Sequence, residues 1–134
     1  MKLEDILTKK VLVVDDMPSI RDNIVSCLKT IGFKKVNQAE NGKQALGKIR
    51  EQDENQFEFI FTDINMPEMN GIEFVKVLRA DPTFDNTPII VISTENESAT
   101  VMEAIYAGAS NYIIKPFRPD TLKQKIMEVF KIKD

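Results

Sequence analysis

Phe57-Glu58-Phe59-Ile60-Phe61-Thr62-Asp63-Ile64-Asn65-Met66-Pro67-Glu68-Met69-Asn70-Gly71 is the stretch that decides the fold. It begins as a mostly apolar run with the aromatic spacing of a strand and stops abruptly at a carboxylate, Asp63. A loop containing Pro67 and Gly71 follows, and then apolar residues recur at helical spacing. Open α/β sheets present their chemistry at the carboxyl ends of their strands, which is where Asp63 falls. Taken alone, Asp63 reads as a turn-forming or helix-capping residue. Two other stretches change that reading. Val11-Leu12-Val13-Val14 runs into Asp15-Asp16, and Asn111-Tyr112-Ile113-Ile114 runs into Lys115-Pro116. Three strands therefore end in charges of complementary sign.

Outward from that stretch, strand and helix alternate. Strands are expected at residues 11–14, 34–39, 57–62, 88–92 and 111–114. Helices are expected at about 18–31, 43–52, 72–80 and 98–107, and a last amphipathic helix carries Leu122, Ile126, Val129 and Phe130. Pro18 opens the first helix and Gly32 follows its end. Cys27 lies on the stripe formed by Ile20, Ile24, Leu28 and Ile31 and reads as a buried core thiol. The more polar strand at 34–39 belongs at a sheet edge. Glu40-Asn41-Gly42 signals a turn, and residues 81–87 form a loop rich in turn formers. Residues 1–10, with Leu3, Ile6 and Leu7, read as a short helical lead-in, a packing or tail segment rather than a site. Five β-α repeats imply parallel strands, right-handed crossovers and helices on both faces: an α/β, doubly wound five-stranded parallel sheet with five helices. A length of 134 residues suits one core, so residues 1–134 are expected to be one domain with no attached output domain.

Composition narrows the chemistry. No apolar run is long enough to cross a membrane and no signal segment opens the chain, so a cytoplasmic location is expected. A single cysteine cannot form an internal disulfide. A net charge of −3 with dispersed Lys and Arg argues against a nucleic-acid surface. The chain has no His, which removes a Ser-His-Asp triad, a histidine metal site and the commonest general base. Chemistry falls to carboxylates, a lysine and hydroxyls. Asp15, Asp16 and Asp63 crowded together repel one another, and Mg²⁺ suits such a cluster because it takes oxygen ligands and keeps waters. Its remaining positions can hold phosphate oxygens, with Asp63 as the nucleophile of an aspartyl phosphate. Phosphoryl transfer asks for positioning and positive charge, which Lys115 supplies with the metal, while Ser93 can donate a hydrogen bond.

These features resemble the receiver domain of two-component response regulators, most closely the single-domain chemotaxis regulators. The similarity is carried by Val-Asp-Asp at 14–16, Asp-Ile-Asn-Met-Pro-Glu-Met-Asn-Gly at 63–71, Ser-Thr-Glu at 93–95 and Gly-Ala-Ser-Asn-Tyr-Ile-Ile-Lys-Pro-Phe at 108–117, over about residues 10–131. The resemblance implies a flavodoxin-like sheet of strand order 2-1-3-4-5. It implies Asp63 as phosphoacceptor, with Mg²⁺ on Asp16 directly, on Asp15 largely through a water, on Asp63 and on the Asn65 carbonyl. Lys115 contacts the phosphoryl group, Ser93 is the switch hydroxyl and Tyr112 the switch aromatic, whose ring moves inward. Asn65, Thr94 and Glu95 flank the path of the hydrolytic water. Lys115-Pro116 resembles the family's cis peptide.

The implied output face is the fourth helix, fifth strand and fifth helix, with Val101, Ile105, Tyr112 and Ile114 as surface candidates. The implied partners are a histidine kinase as phosphodonor, an output target such as the flagellar motor switch, and a phosphatase. A monomer is expected, with no nucleic acid and no membrane insertion. It is a signalling domain rather than an enzyme, catalysing only its own phosphorylation and dephosphorylation. Some positions depart from the chemotaxis pattern: Ile64 where Trp is common, Met17 where Phe is frequent, Thr94 where Ala or Gly is usual, and Glu97-Ser98 where basic residues are familiar. A phosphorelay carrier is an alternative in the same family. A Mg²⁺-dependent phosphohydrolase would want a second carboxylate where Asn65 stands, and an FMN binder would want a Ser/Thr/Gly-rich phosphate loop where Asp15-Asp16 stand.

Overall fold

In the computed structural model, which describes residues 1–52 and 54–132, the apolar runs become the strands of one sheet. These are β1 (Lys10–Val14), β2 (Lys35–Ala39), β3 (Phe59–Thr62), β4 (Ile89–Ser93) and β5 (Asn111–Ile114). They alternate with α1 (Pro18–Ile31), α2 (Gly42–Arg50), α3 (Gly71–Arg79), α4 (Ser98–Ala107) and α5 (Pro119–Val129). All pairings are parallel and the order is β2-β1-β3-β4-β5, the doubly wound, flavodoxin-like arrangement. The polar strand β2 lies at an edge, as its composition predicts.

Side-chain alternation divides the core in two. Leu12, Val14, Ile60, Ile89, Val91 and Tyr112 face one way, onto Ala45 and Ile49 of α2, Phe74 and Leu78 of α3 and Ala104 of α4. Val11, Val13, Phe59, Phe61, Ile90 and Ile113 face the other, onto Ile24 and Leu28 of α1 and Leu122 and Ile126 of α5. Of the two roles open to the lead-in, packing is the one the structure shows. The segment makes one short 3₁₀ turn at Leu3–Asp5, and Ile6 behind it is fully buried beneath α1 and α5.

The differences from the sequence expectation have local causes. The Asn41 and Asn70 side chains accept hydrogen bonds from the Gln44 and Glu73 amides, so Gly42 and Gly71 join the first turns of α2 and α3. The third strand begins at Phe59 rather than 57, although Phe57 is itself buried. Pro82–Phe84, expected as loop, is a 3₁₀ turn whose N-terminal Asp81 carboxylate accepts the Thr83 amide, and it drives Phe84 into the core. Cys27 is not a core thiol. The inward line of α1 runs through Ile24, Val25 and Leu28, leaving Cys27 half-buried on its flank, where partial burial raises the thiol pKa.

Candidate functional site

The sheet register brings the charged strand ends together. Val14 and Thr62 are the last paired residues of β1 and β3, and the Asp63 amide donates to the Val14 carbonyl at 3.0 Å. Asp15 and Asp63 are the next residues on adjacent strands, and both are buried. On the far strand, Ser93 pairs with Ile114, and the Lys115 amide donates to the Ser93 carbonyl at 2.8 Å. From there the Lys115 ammonium reaches back over the sheet edge. Its Nζ lies 2.9 Å from Asp15 Oδ2 and 3.2 Å from Asp63 Oδ2, and all three side chains are less than a tenth exposed. Asp16 is exposed, yet one oxygen from each of Asp15, Asp16 and Asp63 lies within 4.8 Å of the other two.

Lys115 is shared by the two buried carboxylates, and the exposed Asp16 adds a third negative charge beside them, so the cluster keeps excess negative charge. Burial holds the Asp63 pKa above the ordinary carboxylate value. Lys115 opposes that rise, Asp15 adds to it, and the Ile64 amide, donating to Asp63 Oδ1 at 2.7 Å, opposes it. Three hard oxygen donors this close, under-neutralised by one cation, fit a divalent ion that prefers oxygen, Mg²⁺ above all.

The main chain around the cluster is clamped by residues whose role the sequence alone did not reveal. The Arg21 guanidinium of α1 donates to the Asp15 carbonyl at 2.8 Å and to Gln38 Oε1 of β2 at 3.1 Å. The Met17 amide donates to Asp15 Oδ1 at 3.0 Å. The Thr62 hydroxyl donates to the Asp63 carbonyl at 2.9 Å, and the Gly71 amide to the Ile64 carbonyl at 2.8 Å. A Cβ on Gly71 would stand 1.8 Å from the Asp63 carbonyl oxygen, so the chain passes there as glycine. In the sequence Gly71 reads as loop punctuation; its contact with Asp63 depends on how the loop folds back.

A second group sits on the β4 side. Ser93 is fully buried and its hydroxyl accepts the Glu95 amide at 3.2 Å. The Tyr112 hydroxyl donates to the Glu95 carbonyl at 2.7 Å, and Asn65 Nδ2 donates to Glu95 Oε1 at 3.0 Å. Glu95 thus joins Asn65, beside the acidic cluster, to Tyr112 on β5. Thr94 faces solvent. Burial raises the Tyr112 phenol pKa, opposed by the Ser93 hydroxyl and reinforced by the charges of Glu95 and Asp63. Tyr112, one of four surface candidates, is therefore turned inward and buried: strand alternation points it at the α3–α4 side, where a carbonyl accepts its hydroxyl. Ile105 and Ile114 are exposed and Val101 is half-buried against the core. The Lys115-Pro116 peptide is cis.

Residues 11–127 match the family described as the response regulator receiver domain. The chain is 43% identical over 125 residues to chemotaxis protein CheY1 of Helicobacter pylori strain J99, a match covering 93% of this chain and 99% of that protein. It is 42% identical over 120 residues to the CheY homolog of Campylobacter jejuni, covering 90% and 91% of the two chains. The solved structure of chemotaxis response regulator CheY4 of Vibrio cholerae is similar with a TM-score of 0.82 at 37% identity, covering 91% of this chain and 98% of that one.

Proposed function

The chain belongs to the response regulator receiver domain family, and on that premise we propose that it is a stand-alone chemotaxis regulator phosphorylated on Asp63 by a histidine kinase. The observation that carries the reading is the convergence of Asp15, Asp16, Asp63 and Lys115 at one edge of the sheet. An Asp63 carboxylate oxygen attacks the phosphorus of the kinase phosphohistidine. The P–N bond breaks and its electron pair returns to the imidazole, which leaves neutral when its other nitrogen carries a proton. Asp63 is held for this attack by the Ile64 amide at Oδ1 and by the grip of Thr62 on its carbonyl. Lys115 is close enough to move from the Asp63 carboxylate to the phosphoryl oxygens that replace its charge. Asp15, Asp16, Asp63 and the Asn65 carbonyl would hold Mg²⁺, which when bound supplies further positive charge against those oxygens.

Ser93, buried one strand away, is the hydroxyl for the phosphoryl group to draw. Its movement frees the Glu95 amide it now accepts, and Glu95 holds Tyr112. The output reaches the α4-β5-α5 face, where Ile105 and Ile114 are exposed. The flagellar motor switch is the proposed target and a phosphatase a further partner. The stand-alone reading is supported by relatives matched over almost their whole length. Among the described residues no helix is long and apolar enough to cross a membrane. Action in the cytoplasm, as a monomer, is part of the proposal. Incubation with acetyl phosphate and Mg²⁺, followed by intact-mass measurement, is the test. The wild type gains one phosphoryl group and Asp63→Asn gains none; labelling of the variant at the wild-type rate removes Asp63 from the role.

A further inference from the structure

The Asp16 carboxylate is exposed and, among the described residues, has no hydrogen bond or ion pair. One of its oxygens nevertheless lies within 4.8 Å of an oxygen of Asp15 and one of Asp63. Like charges this close repel, and Asp16 has no partner of its own to hold it there. Its place is set by the main chain that carries it. On one side, the Asp15 amide donates to the Ala39 carbonyl at 3.2 Å and extends the β1–β2 pairing by one residue. On the other, the Met17 amide donates to Asp15 Oδ1 at 3.0 Å, and the Met17 carbonyl accepts the Arg21 amide at 2.9 Å in the first turn of α1. The Asp15 carbonyl belongs to the peptide that leads directly into Asp16. It lies past the last strand pair, and the Arg21 side chain is its partner.

Arg21 is aimed at that carbonyl by β2. Gln38 is in register with Val13, so its side chain projects to the α1 face of the sheet. There Gln38 Oε1 accepts Arg21 Nε at 3.1 Å, while Nη1 of the same guanidinium donates to the Asp15 carbonyl at 2.8 Å. Lys48 of α2 donates in turn to the Gln38 carbonyl and fixes β2 at that residue. Both Arg21 bonds go to neutral oxygens, so they set geometry and leave the carboxylates open to another cation. We propose that Arg21 is a positioning residue for the cation: it holds the Asp15–Asp16 peptide so that the exposed Asp16 carboxylate stays turned toward Asp15 and Asp63. This rests on the reading of the cluster as a Mg²⁺ site. A lysine would carry the same charge, but as a point donor it cannot bridge Gln38 and the Asp15 carbonyl as the planar fork does. Asp63 and Lys115 are held by other bonds, from their amides to the Val14 and Ser93 carbonyls, and none of these passes through Arg21. Loss of Arg21 therefore acts on metal affinity and not on the chemistry at saturating metal.

Mg²⁺ titration by calorimetry, with acetyl phosphate labelling across the same Mg²⁺ range, tests this on the full chain. Arg21→Lys should bind Mg²⁺ roughly tenfold or more weakly, the usual effect of losing a residue that orients a metal ligand. The Mg²⁺ needed for half-maximal labelling should rise by the same factor, and labelling at saturating Mg²⁺ should stay within about twofold of the wild type. Gln38→Leu keeps the guanidinium but removes the acceptor that aims it. It should weaken binding too, and the double variant should be little worse than Arg21→Lys alone. Gln38→Leu carries the test by itself if Arg21→Lys does not fold. Arg79→Lys is the control, because that guanidinium also grips main-chain carbonyls, those of Gly108 and Phe84, at the opposite end of the sheet. It should lose thermal stability and bind Mg²⁺ as the wild type does. Wild-type affinity in Arg21→Lys or in Gln38→Leu overturns the proposal, and so does a lower labelling plateau at an unchanged Mg²⁺ requirement. An equal loss of affinity in Arg79→Lys also overturns it, since the effect is then one of general stability. A wild type that binds no Mg²⁺, or whose binding survives Asp16→Ala, overturns the metal reading of the cluster and this role of Arg21 with it.

Discussion

Asp63 is a buried carboxylate flanked by a second buried carboxylate and one shared lysine, and burial is the strongest influence on its proton. Its folded-state pKa lies above the unfolded value, so the folded chain binds this proton more tightly than the unfolded chain does. In EDTA, stability should therefore rise as pH falls from the raised pKa toward about 4, the ordinary carboxylate value, with the gain complete below it. Asp63→Asn removes the buried charge. In EDTA at pH 7 it should melt a few degrees above the wild type, roughly the effect of 1 kcal/mol, and the gap should close on acidification. Thermal melts across that window decide it; a gap that widens on acidification contradicts the assignment. Asn65 and Glu95, hydrogen-bonded at 3.0 Å, stand where the resemblance places the approach of the hydrolytic water. The path is flanked by compact polar groups, so a short-lived phosphoryl group is expected. Asn65→Arg puts a longer cation against Glu95 and should slow phosphate release roughly tenfold or more, measured after the phosphodonor is removed.

Two glycines separate a helix that carries the site from one that does not. Gly71 opens α3, and any side chain there meets the Asp63 carbonyl oxygen. Gly71→Ala must displace the loop that presents Asp63. Denaturant unfolding should show a loss of roughly 1–3 kcal/mol, and the folded protein should label poorly with acetyl phosphate. Gly47 lies inside α2 with an ordinary helical backbone, and a methyl group added there would meet no atom within 4 Å. Gly47→Ala should stabilise by roughly 0.5–1 kcal/mol and leave labelling unchanged. If both substitutions behave alike, the close approach at Gly71 does not govern the site. At the other end of α3, the Arg79 guanidinium donates to the carbonyls of Gly108 and Phe84 and to the Ser110 hydroxyl, with the Gly108 bond at 2.9 Å. That cation ties α3 to the end of α4.

For the whole molecule the acidic edge is a cost that the proposed Mg²⁺ would relieve. A ligand that binds the folded chain alone stabilises it by about 2.7 kcal/mol at a hundred times its dissociation constant. Mg²⁺ should therefore raise the melting temperature by several degrees. Asp16→Ala should abolish most of that rise while melting above the wild type without metal, because one source of like-charge repulsion is gone. Calorimetric melts with and without Mg²⁺ test both halves, and an unchanged metal effect in the variant would place the ion away from this cluster.

Local periodicity was enough to find five strands and five helices, because the side that must avoid water repeats with the period of the element. It was also enough to see that three strands end in charges, and the absence of His limited what those charges could do. The strand order and individual site roles came from motif resemblance, since alternation alone permits several parallel sheets. Residues at the edge of an apolar stripe could not be placed from spacing. Cys27 is left half-buried and Phe84 drawn into the core by neighbouring elements that no local pattern names. Tertiary structure alone decided that Lys115 is shared by Asp15 and Asp63, that Arg21 grips the Asp15 carbonyl, and that Glu95 links Asn65 to an inward Tyr112. The physical reason is that these contacts join residues far apart in the chain. Their distances are set by the register of parallel strands and the crossovers between them, whereas a sequence pattern reports only which side of each element faces the core.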